Sequence, residues 1–264
     1  MIRVTYDFET FWSQTHSLTK MSPITYVLHP DTEIQSVAVK IDDGETVVLF
    51  GEDNIRAYFS TIDWGNAIAI AHNNSEFDAM ILAWRFGIKP KMWGCTLAMA
   101  RPIFAKDAGG SLSAVMKALG CPFEKGSLEE VNTKGKKLAQ FTAEEIERMR
   151  EYNKIDTDGC NWIFKRLAKL TPPDELLVID ATIRMIVEPE FECDVPLLEQ
   201  TLVEEQQRKF NTLLDVATLT GAYAPGMTDE EAAEAARKVL ASGPKFAQFI
   251  LKYKWLLILG FHRS

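Results

Sequence analysis

The sequence has few cysteines, and their spacing excludes two kinds of structure. Only four occur among 264 residues, and no two of them form a CxxC pair: Cys95, Cys121, Cys160 and Cys193. The pattern offers neither a zinc site nor a disulfide framework, and it favours reduced thiols in a cytoplasm. The one long apolar run, WLLILGF from Trp255, is far below the roughly 18 residues of a membrane span. No secretory leader precedes Asp7, so we expect no membrane partner.

Positive charge is scarce as well. Lysine and arginine total 29 against 37 aspartate and glutamate residues, which gives a net charge of -8 and a pI near 5.2. Such a chain does not bind nucleic acid through bulk basicity, but this does not exclude local basic patches. The clearest patch is NTKGKK, where Lys134, Lys136 and Lys137 could contact phosphate. A solvated loop is an equally good interpretation of that run.

The rest of the composition is that of a globular protein, with 47% hydrophobic and 25% charged residues. Alternating or β-branched runs predict strands first: IRVTYDF, SVAVKID and TVVLFG as an antiparallel set, then NAIAIAH as a strand buried on both faces. Helices are predicted at residues 75–86, 97–104, 112–119 and 142–170, the last opening on the capping box TAEE. We therefore predict an α/β layer followed, after Pro172 and Pro173, by an almost wholly helical part.

Two acids, Asp7 and Glu9, stand two residues apart in the first predicted strand. Because strand side chains alternate between faces, both carboxylates point the same way. Like charges held so close repel, unless a cation lies between them. A single DxE pair is common by chance, however, and alone it is a weak signal of a metal site.

Two further segments carry candidate residues. Asp78, in HNNSEFDAMIL, follows the fourth strand near the carboxyl end, where open α/β sheets bind ligands. Tyr152 and Asp156 are four residues apart in the long helix, so they share one face. Taken singly, Asp78 is typical of a helix start and the other two of a surface pair. The ordered combination of all three segments instead predicts one acidic pocket over the first strand.

These segments resemble the motifs of proofreading-type exonucleases of the DEDD superfamily, in its tyrosine-bearing branch. YDFET is similar to the first motif and YNKID to the third. NNSEFD is similar to the second, with Asn74 at the usual spacing and Asn73 one residue out. The stretches YVLHPDTEI, WGCTLAMAR and SLSAVMKALG also resemble the exonuclease domain of family A DNA polymerases, in particular phage enzymes related to bacterial DNA polymerase I.

The resemblance implies an RNase H-like α/β fold, a mixed sheet flanked by helices, over residues 1–171. Residues 172–264 resemble the helical, thumb-like start of the polymerase portion, cut short because the polymerase motifs are missing before Ser264. The implied activity is proofreading in DNA replication, as 3′-to-5′ removal of nucleoside 5′-monophosphates. Its partners would be a single-stranded or frayed DNA 3′ end and the rest of a DNA polymerase, in the host cytoplasm if the chain is phage-encoded. The oligomeric state stays open.

The resemblance also implies two divalent cations, Mg²⁺ or Mn²⁺, for which carboxylate oxygens are suitable ligands. Asp7 would bridge the two cations, while Glu9 and Asp156 would complete the site of the nucleophilic water. Asp78 would act mainly through water. Tyr152 would orient the nucleophile by hydrogen bonding.

The residues next to the first motif are the implied substrate contacts. Thr10 would contact the terminal 3′-hydroxyl through its backbone, and Asn74 would assist. Frayed nucleotides would stack on aromatic rings such as Phe8, Phe11 or Trp12.

Two alternatives remain at this stage. The first keeps the site but makes the chain a freestanding exonuclease on RNA or short oligonucleotides. The second makes it a non-catalytic scaffold fragment that retains the acids by descent. Matched DNA and RNA strands separate the two nuclease hypotheses, and metal titration separates both from the scaffold.

Overall fold

The computed structural model describes residues 1–104, 109–123, 131 and 133–260, the last nine of these by their backbone alone. The chain divides into two compact units, Met1–Glu190 and Phe191–Ser264. Within the described residues, every strand lies in the first unit. The two units are therefore described separately.

A mixed five-stranded sheet forms the centre of the first unit. Its strands are β1 (Ile2–Thr10), β2 (Ile34–Ile41), β3 (Val47–Phe50), β4 (Ala67–Ala71) and β5 (Met92–Cys95), in the order β3-β2-β1-β4-β5. The antiparallel pairing of β1 with β2 and of β2 with β3 confirms the predicted set, whereas β4 is parallel to β1 and β5 is parallel to β4. β4 is buried at every residue, as its evenly apolar sequence predicts. The strand that carries Asp7 and Glu9 is thus the middle one.

The sequence pattern missed β5. Its four residues, MWGC, show neither alternation nor β-branched side chains, so they give no local strand signal. Gly94 suits the close approach of β4, because a Cβ there would lie 3.2 Å from Ile70 Cγ1. The strand forms because β4 offers an edge for parallel pairing, which is a tertiary effect.

Helices flank this sheet. In the first unit the longer ones are Pro23–Leu28, Glu52–Phe59, Thr96–Phe104, Leu112–Ala118, Ala143–Leu167 and Pro173–Val187. The first two have no counterpart among the predicted helices, because six or eight residues are too few to show a helical period clearly. The next three match predicted helices to within a few residues.

The continuous helix predicted over residues 75–86 is wrong in detail. The chain forms a 3-10 turn at Asn74–Glu76, a helical turn at Asp78–Met80 and a π-helical stretch at Ile81–Arg85. The break falls at Phe77, whose φ of -151° and ψ of -73° lie outside the helical region. Asp78 therefore begins a new turn shortly after the carboxyl end of β4.

The helix Ala143–Leu167, called the long helix below, packs across β1 and β2. It begins as predicted, with the Thr142 side chain accepting a hydrogen bond from the Glu145 backbone N–H. Polar contacts join it to the sheet, among them the ion pair between Lys40 on β2 and Asp158, with N and O 2.9 Å apart. These contacts fix the rotation of the long helix, and with it the face that carries Tyr152.

The first compact unit extends to Glu190, beyond the predicted boundary between residues 171 and 172. The reason is the helix Pro173–Val187, which buries Ile179, Ile183 and Val187 in the core of this unit. Asp180 accepts a hydrogen bond from the Trp93 backbone N–H on β5, at 2.7 Å. The long helix ends at Leu167 and the two prolines begin the next helix, so they do not mark the end of the compact unit.

The second unit is helical, as predicted. Its helices are Val195–Thr220, Asp229–Ala241 and Gly243–Gly260. The first two pack through a small core of short side chains: Leu213, Ala217, Ala232, Ala233 and Ala236. No helix among the described residues is long and apolar enough to cross a bilayer. The predicted relation of this unit to a polymerase stays a prediction.

Candidate active site

Three carboxylates from two elements meet over the middle of the sheet. Asp7 and Glu9 lie on one face of β1, and Asp156 comes from the long helix. One carboxylate oxygen of each lies within 4.8 Å of the other two. Asp156 is only 2% exposed, so water screens its charge poorly. Like charges held this close favour a bound cation or shared protons.

Tyr152 lies one turn before Asp156 and is 7% exposed. Burial raises the pKa of its phenol well above the ordinary value, and the negative charges of Glu9, Asp156 and Asp7 raise it further. A hydrogen bond to Asp156 acts in the same direction. The phenol therefore stays neutral at physiological pH. It can donate a hydrogen bond, but it cannot act as an ionised base.

Asp78 is 3% exposed and lies behind the acidic cluster. Its Oδ1 accepts a hydrogen bond from the Phe8 backbone N–H at 3.1 Å, so it is attached to β1 between Asp7 and Glu9. Burial raises the pKa of this carboxyl to about 7, and backbone hydrogen bonds oppose the shift. Asp78 does not belong to the group of three that lies within 4.8 Å. Its predicted action on the cations through water stays a prediction.

Sequence reasoning missed Asn153. Its Nδ2 donates to Asp7 Oδ2 at 2.8 Å and to the Asp7 backbone carbonyl at 3.0 Å. Its Oδ1 accepts from Ser36 Oγ on β2 at 3.1 Å. The sequence does show a polar residue next to Tyr152 in a helix predicted to pack on the sheet. It does not show that the partner of this residue is Asp7.

The segment that follows β1 is held by Tyr26. The Tyr26 Oη donates to the Phe11 carbonyl at 2.5 Å, and Thr10 Oγ1 lies 2.8 Å from the same oxygen. Phe11 and Trp12, beyond this point, are half-buried. Their predicted contact with substrate, and that of the Thr10 backbone, stay predictions.

Two of the predicted stacking or binding residues are not available to substrate. Phe8 is 4% exposed and stacks on Phe86 in the core, with ring centroids 5.6 Å apart. Asn74 is fully buried: its Nδ2 donates to the carbonyls of Ala69 and Gly94, and its Oδ1 accepts from Tyr6 Oη at 2.7 Å. The structure gives both residues internal roles, because their side chains point into the sheet core. The expected contacts of Phe8 and Asn74 with substrate are not supported.

The predicted basic run does not present three equivalent cations. Lys136 pairs with Glu145, and Lys137 donates to the Asp31 carbonyl and lies over the Phe11 ring, 4.1 Å from its centroid. Lys134 is exposed, with its Nζ 5.6 Å from the centroid of the Trp12 ring. Of the three, Lys134 is thus the best placed for phosphate. The contact itself stays a prediction.

The donor set fits the divalent cations that the motifs imply. Asp7, Glu9 and Asp156 offer only carboxylate oxygens, the hard ligands that Mg²⁺ and Mn²⁺ prefer over zinc. A buried carboxyl, Asp78, and a neutral phenol, Tyr152, accompany the cluster. A cation between the three carboxylates would relieve their repulsion.

No family model and no curated protein matches this sequence. Among solved structures, 19 chains are similar. One of them, NrnC of Brucella melitensis, is 15% identical in sequence and superposes with a TM-score of 0.51, covering 73% of this chain and 89% of that chain. An identity this low shows the fold alone. The chain therefore has the RNase H-like exonuclease fold that its motifs predict, and the likeness gives no support to a family A polymerase domain.

Proposed function

We propose that this protein is a metal-dependent 3′-to-5′ exonuclease that works as a freestanding enzyme on RNA or short oligonucleotides. The observation that carries the proposal is the meeting of Asp7, Glu9 and Asp156 within 4.8 Å, beside Tyr152, in an RNase H-like sheet. Each residue comes from the motif position that the DEDD resemblance assigns to it.

The freestanding form is supported by the extent of the structural likeness. The superposed region makes up 89% of the NrnC chain, so that protein consists of little more than this fold. The matched 73% of the present chain is close to the share that the first compact unit occupies. This extent of likeness therefore supports a nuclease that works without an attached polymerase.

Each acid has a distinct part in the proposed reaction. Asp7, Glu9 and Asp156 would hold the two cations, and Asp78 would support them through water. When bound, the cations supply charge stabilisation to the attacking and leaving oxygens of a phosphodiester displacement. Tyr152 would hydrogen-bond to the attacking water and so align it with the scissile phosphorus.

The net charge of -8 sets a condition on the substrate. A long duplex would meet a repulsive protein, whereas a terminal nucleotide meets a pocket whose acids are neutralised by cations. The half-buried residues Phe11 and Trp12 would stack on the end bases, and Lys134 would contact a phosphate. Few phosphate contacts suffice for a short strand, so this charge pattern suits an enzyme that removes single nucleotides from ends.

The test is a nuclease assay on matched RNA and DNA strands in Mg²⁺ or Mn²⁺, over lengths from dinucleotides upward. Strands labelled at the 5′ end should shorten stepwise and release nucleoside 5′-monophosphates, fastest for the short RNAs. A strand blocked at its 3′ end is the substrate control, and excess chelator is the metal control. Equal cleavage of the blocked strand would contradict the 3′-to-5′ direction, and cleavage that survives the chelator would contradict the metal site.

Proofreading of DNA is the second candidate, and the resemblance of YVLHPDTEI, WGCTLAMAR and SLSAVMKALG to polymerase exonuclease domains is what favours it. A proofreading enzyme would degrade a mispaired DNA terminus faster than a paired one, because the paired terminus must first separate. It would also show no preference for RNA. These two rate ratios, measured on one set of labelled strands, decide between the candidates.

A further inference from the structure

Asn153 links three elements of the first unit at the candidate site. Its side chain is fully buried on the long helix. Its Nδ2 donates to both the side chain and the backbone of Asp7 on β1, at 2.8 and 3.0 Å. On its other side, Oδ1 accepts from the hydroxyl of Ser36 on β2 at 3.1 Å. The amide therefore uses its donor toward the acid and its acceptor toward the serine.

The orientation of this amide is fixed by Asp7, whose Oδ2 and backbone carbonyl oxygen both accept from Nδ2. A buried amide could turn over and direct its oxygen at Asp7, but two oxygens would then face each other with no hydrogen between them. In the orientation that Asp7 selects, Oδ1 faces Ser36 and accepts a hydrogen bond from its hydroxyl, which holds the amide in place. Ser36 is itself fully buried and pairs with Glu9 in the β1–β2 register. The serine thus belongs to the sheet surface that carries the acids.

The hydrogen bonds from Asn153 to Asp7 restrain a carboxylate that lies in a cluster of like charges. The Asp7 carboxylate lies close to Glu9 and Asp156, and repulsion would rotate it away from them. A hydrogen bond to its Oδ2, combined with one to its own carbonyl, fixes the plane of the carboxylate relative to the backbone. An amide does so without adding positive charge. The full negative charge of the cluster therefore stays available to a cation.

We infer that Asn153 is a positioning residue for the cation site, and that the hydrogen bond from Ser36 holds its amide in place. The inference rests on the proposed function only in assuming that the three acids bind a divalent cation. Residues that hold a metal ligand in place typically account for a 10–100-fold effect on metal affinity. Loss of the Asn153 amide should therefore weaken cation binding by about 10-fold, and loss of the Ser36 hydroxyl should weaken it less.

The chain offers a matched control in Asn161, two turns further along the same helix. Asn161 is also buried, and it also contacts β1, where its Oδ1 accepts from Thr5 Oγ1 at 3.4 Å. Neither residue belongs to the acidic cluster. Replacing Asn161 removes a buried helix-to-strand hydrogen bond of the same kind, but it leaves Asp7 untouched.

The experiment is calorimetric titration of Mn²⁺ into the full chain without nucleic acid, with thermal unfolding measured on the same samples. Asn153→Ala should weaken Mn²⁺ binding about 10-fold, Ser36→Ala should weaken it less but measurably, and Asn161→Ala should lower stability with unchanged Mn²⁺ affinity. Ser36→Ala tests the inference even where Asn153→Ala is not recovered folded.

Several outcomes overturn the inference: wild-type Mn²⁺ affinity in folded Asn153→Ala or in Ser36→Ala, or an equal loss in Asn161→Ala. Absence of Mn²⁺ binding by the wild type overturns both this inference and the proposed function. If the variants weaken binding as expected but the wild type cleaves no nucleic acid, the positioning role stands and the proposed function fails. If cleavage depends on metal but the variants bind Mn²⁺ normally, the reverse holds.

Discussion

The backbone N–H of Phe8 donates to Asp78 Oδ1 across 3.1 Å. Phe8 stands between Asp7 and Glu9, so the peptide that separates the two first-motif acids also holds the second-motif acid. Its side chain points into the core on the opposite face of β1, where it is 4% exposed. One strand therefore supplies two carboxylates on one face and, through its backbone, fixes a third.

Asp78→Asn should stabilise the metal-free protein at alkaline pH. The folded-state pKa of Asp78 is raised to about 7, above the ordinary value of 3.8, so stability falls as pH rises between these values and stays low above them. The asparagine variant lacks this loss, and its gain should reach roughly 4 kcal/mol at pH 8. Urea unfolding in chelator at pH 4, 6 and 8 measures it. The exposed Glu151→Gln is the control, and a pH-independent difference for Asp78→Asn would contradict the prediction.

Asp7→Ala should abolish nuclease activity without unfolding the protein. The change removes the acid that the motifs place between both cations, and it also relieves repulsion with Glu9 and Asp156. Activity in Mg²⁺ and thermal unfolding in chelator are measured together. Asp158→Asn is the control. Asp158 lies on the long helix, two residues after Asp156, but it pairs with Lys40 and Thr46. It should lose some stability and keep its activity. Wild-type cleavage rates in a folded Asp7→Ala protein would contradict the assignment of these acids to the active site.

Tyr152→Phe should lower the cleavage rate by on the order of 10²-fold, because only the alignment of the attacking water is lost. The variant should bind Mn²⁺ as the wild type does. Since the pKa of Tyr152 is raised above its ordinary value of 10.0, the wild-type rate should show no decline from phenol ionisation below pH 10. Single-turnover rates against pH test both points. Equal rates for the two proteins would exclude Tyr152 from the mechanism.

A fragment of residues 1–190 should fold cooperatively, whereas a fragment of residues 1–171 should not. The difference is the helix Pro173–Val187, which buries three aliphatic side chains and whose Asp180 carboxylate accepts a hydrogen bond from the Trp93 backbone N–H on β5. Burial of this size contributes roughly 5 kcal/mol, comparable to the total stability of a domain. Thermal unfolding followed by circular dichroism should show a cooperative transition for residues 1–190 and none for residues 1–171. A milder change serves as the control: Ile183→Ala in the longer fragment should lower the free energy of unfolding by about 2–5 kcal/mol.

The chain alone should extend no primer at any nucleotide concentration. Nucleotide addition needs its own metal-binding carboxylates, and the one group of three or more such side chains found among the described residues is the cluster of Asp7, Glu9 and Asp156. A primer-template incubated with and without triphosphates in Mg²⁺ should only shorten. Template-dependent extension would show that the second unit has been misinterpreted.

The sequence by itself determined the local features of the site. A period of two places Asp7 and Glu9 on one face of β1, and a spacing of four places Tyr152 and Asp156 on one face of a helix. The capping box at Thr142 fixed where that helix begins. These features follow from backbone geometry within a few residues, so they can be predicted without a partner.

Tertiary structure decided what the sequence left open. Only the packing of the long helix on β1 and β2 brings Asp156 to Asp7 and directs Asn153 at the same carboxylate. Asn74 is enclosed instead by its partners Tyr6, Ala69 and Gly94, which lie on three neighbouring strands. β5 exists because β4 offers it an edge, and the first unit ends at Glu190 because the helix after the prolines finds apolar partners. Each of these outcomes depends on groups far apart in the chain. Local pattern and propensity carry no information about such partners, since burial and pairing are properties of the folded whole.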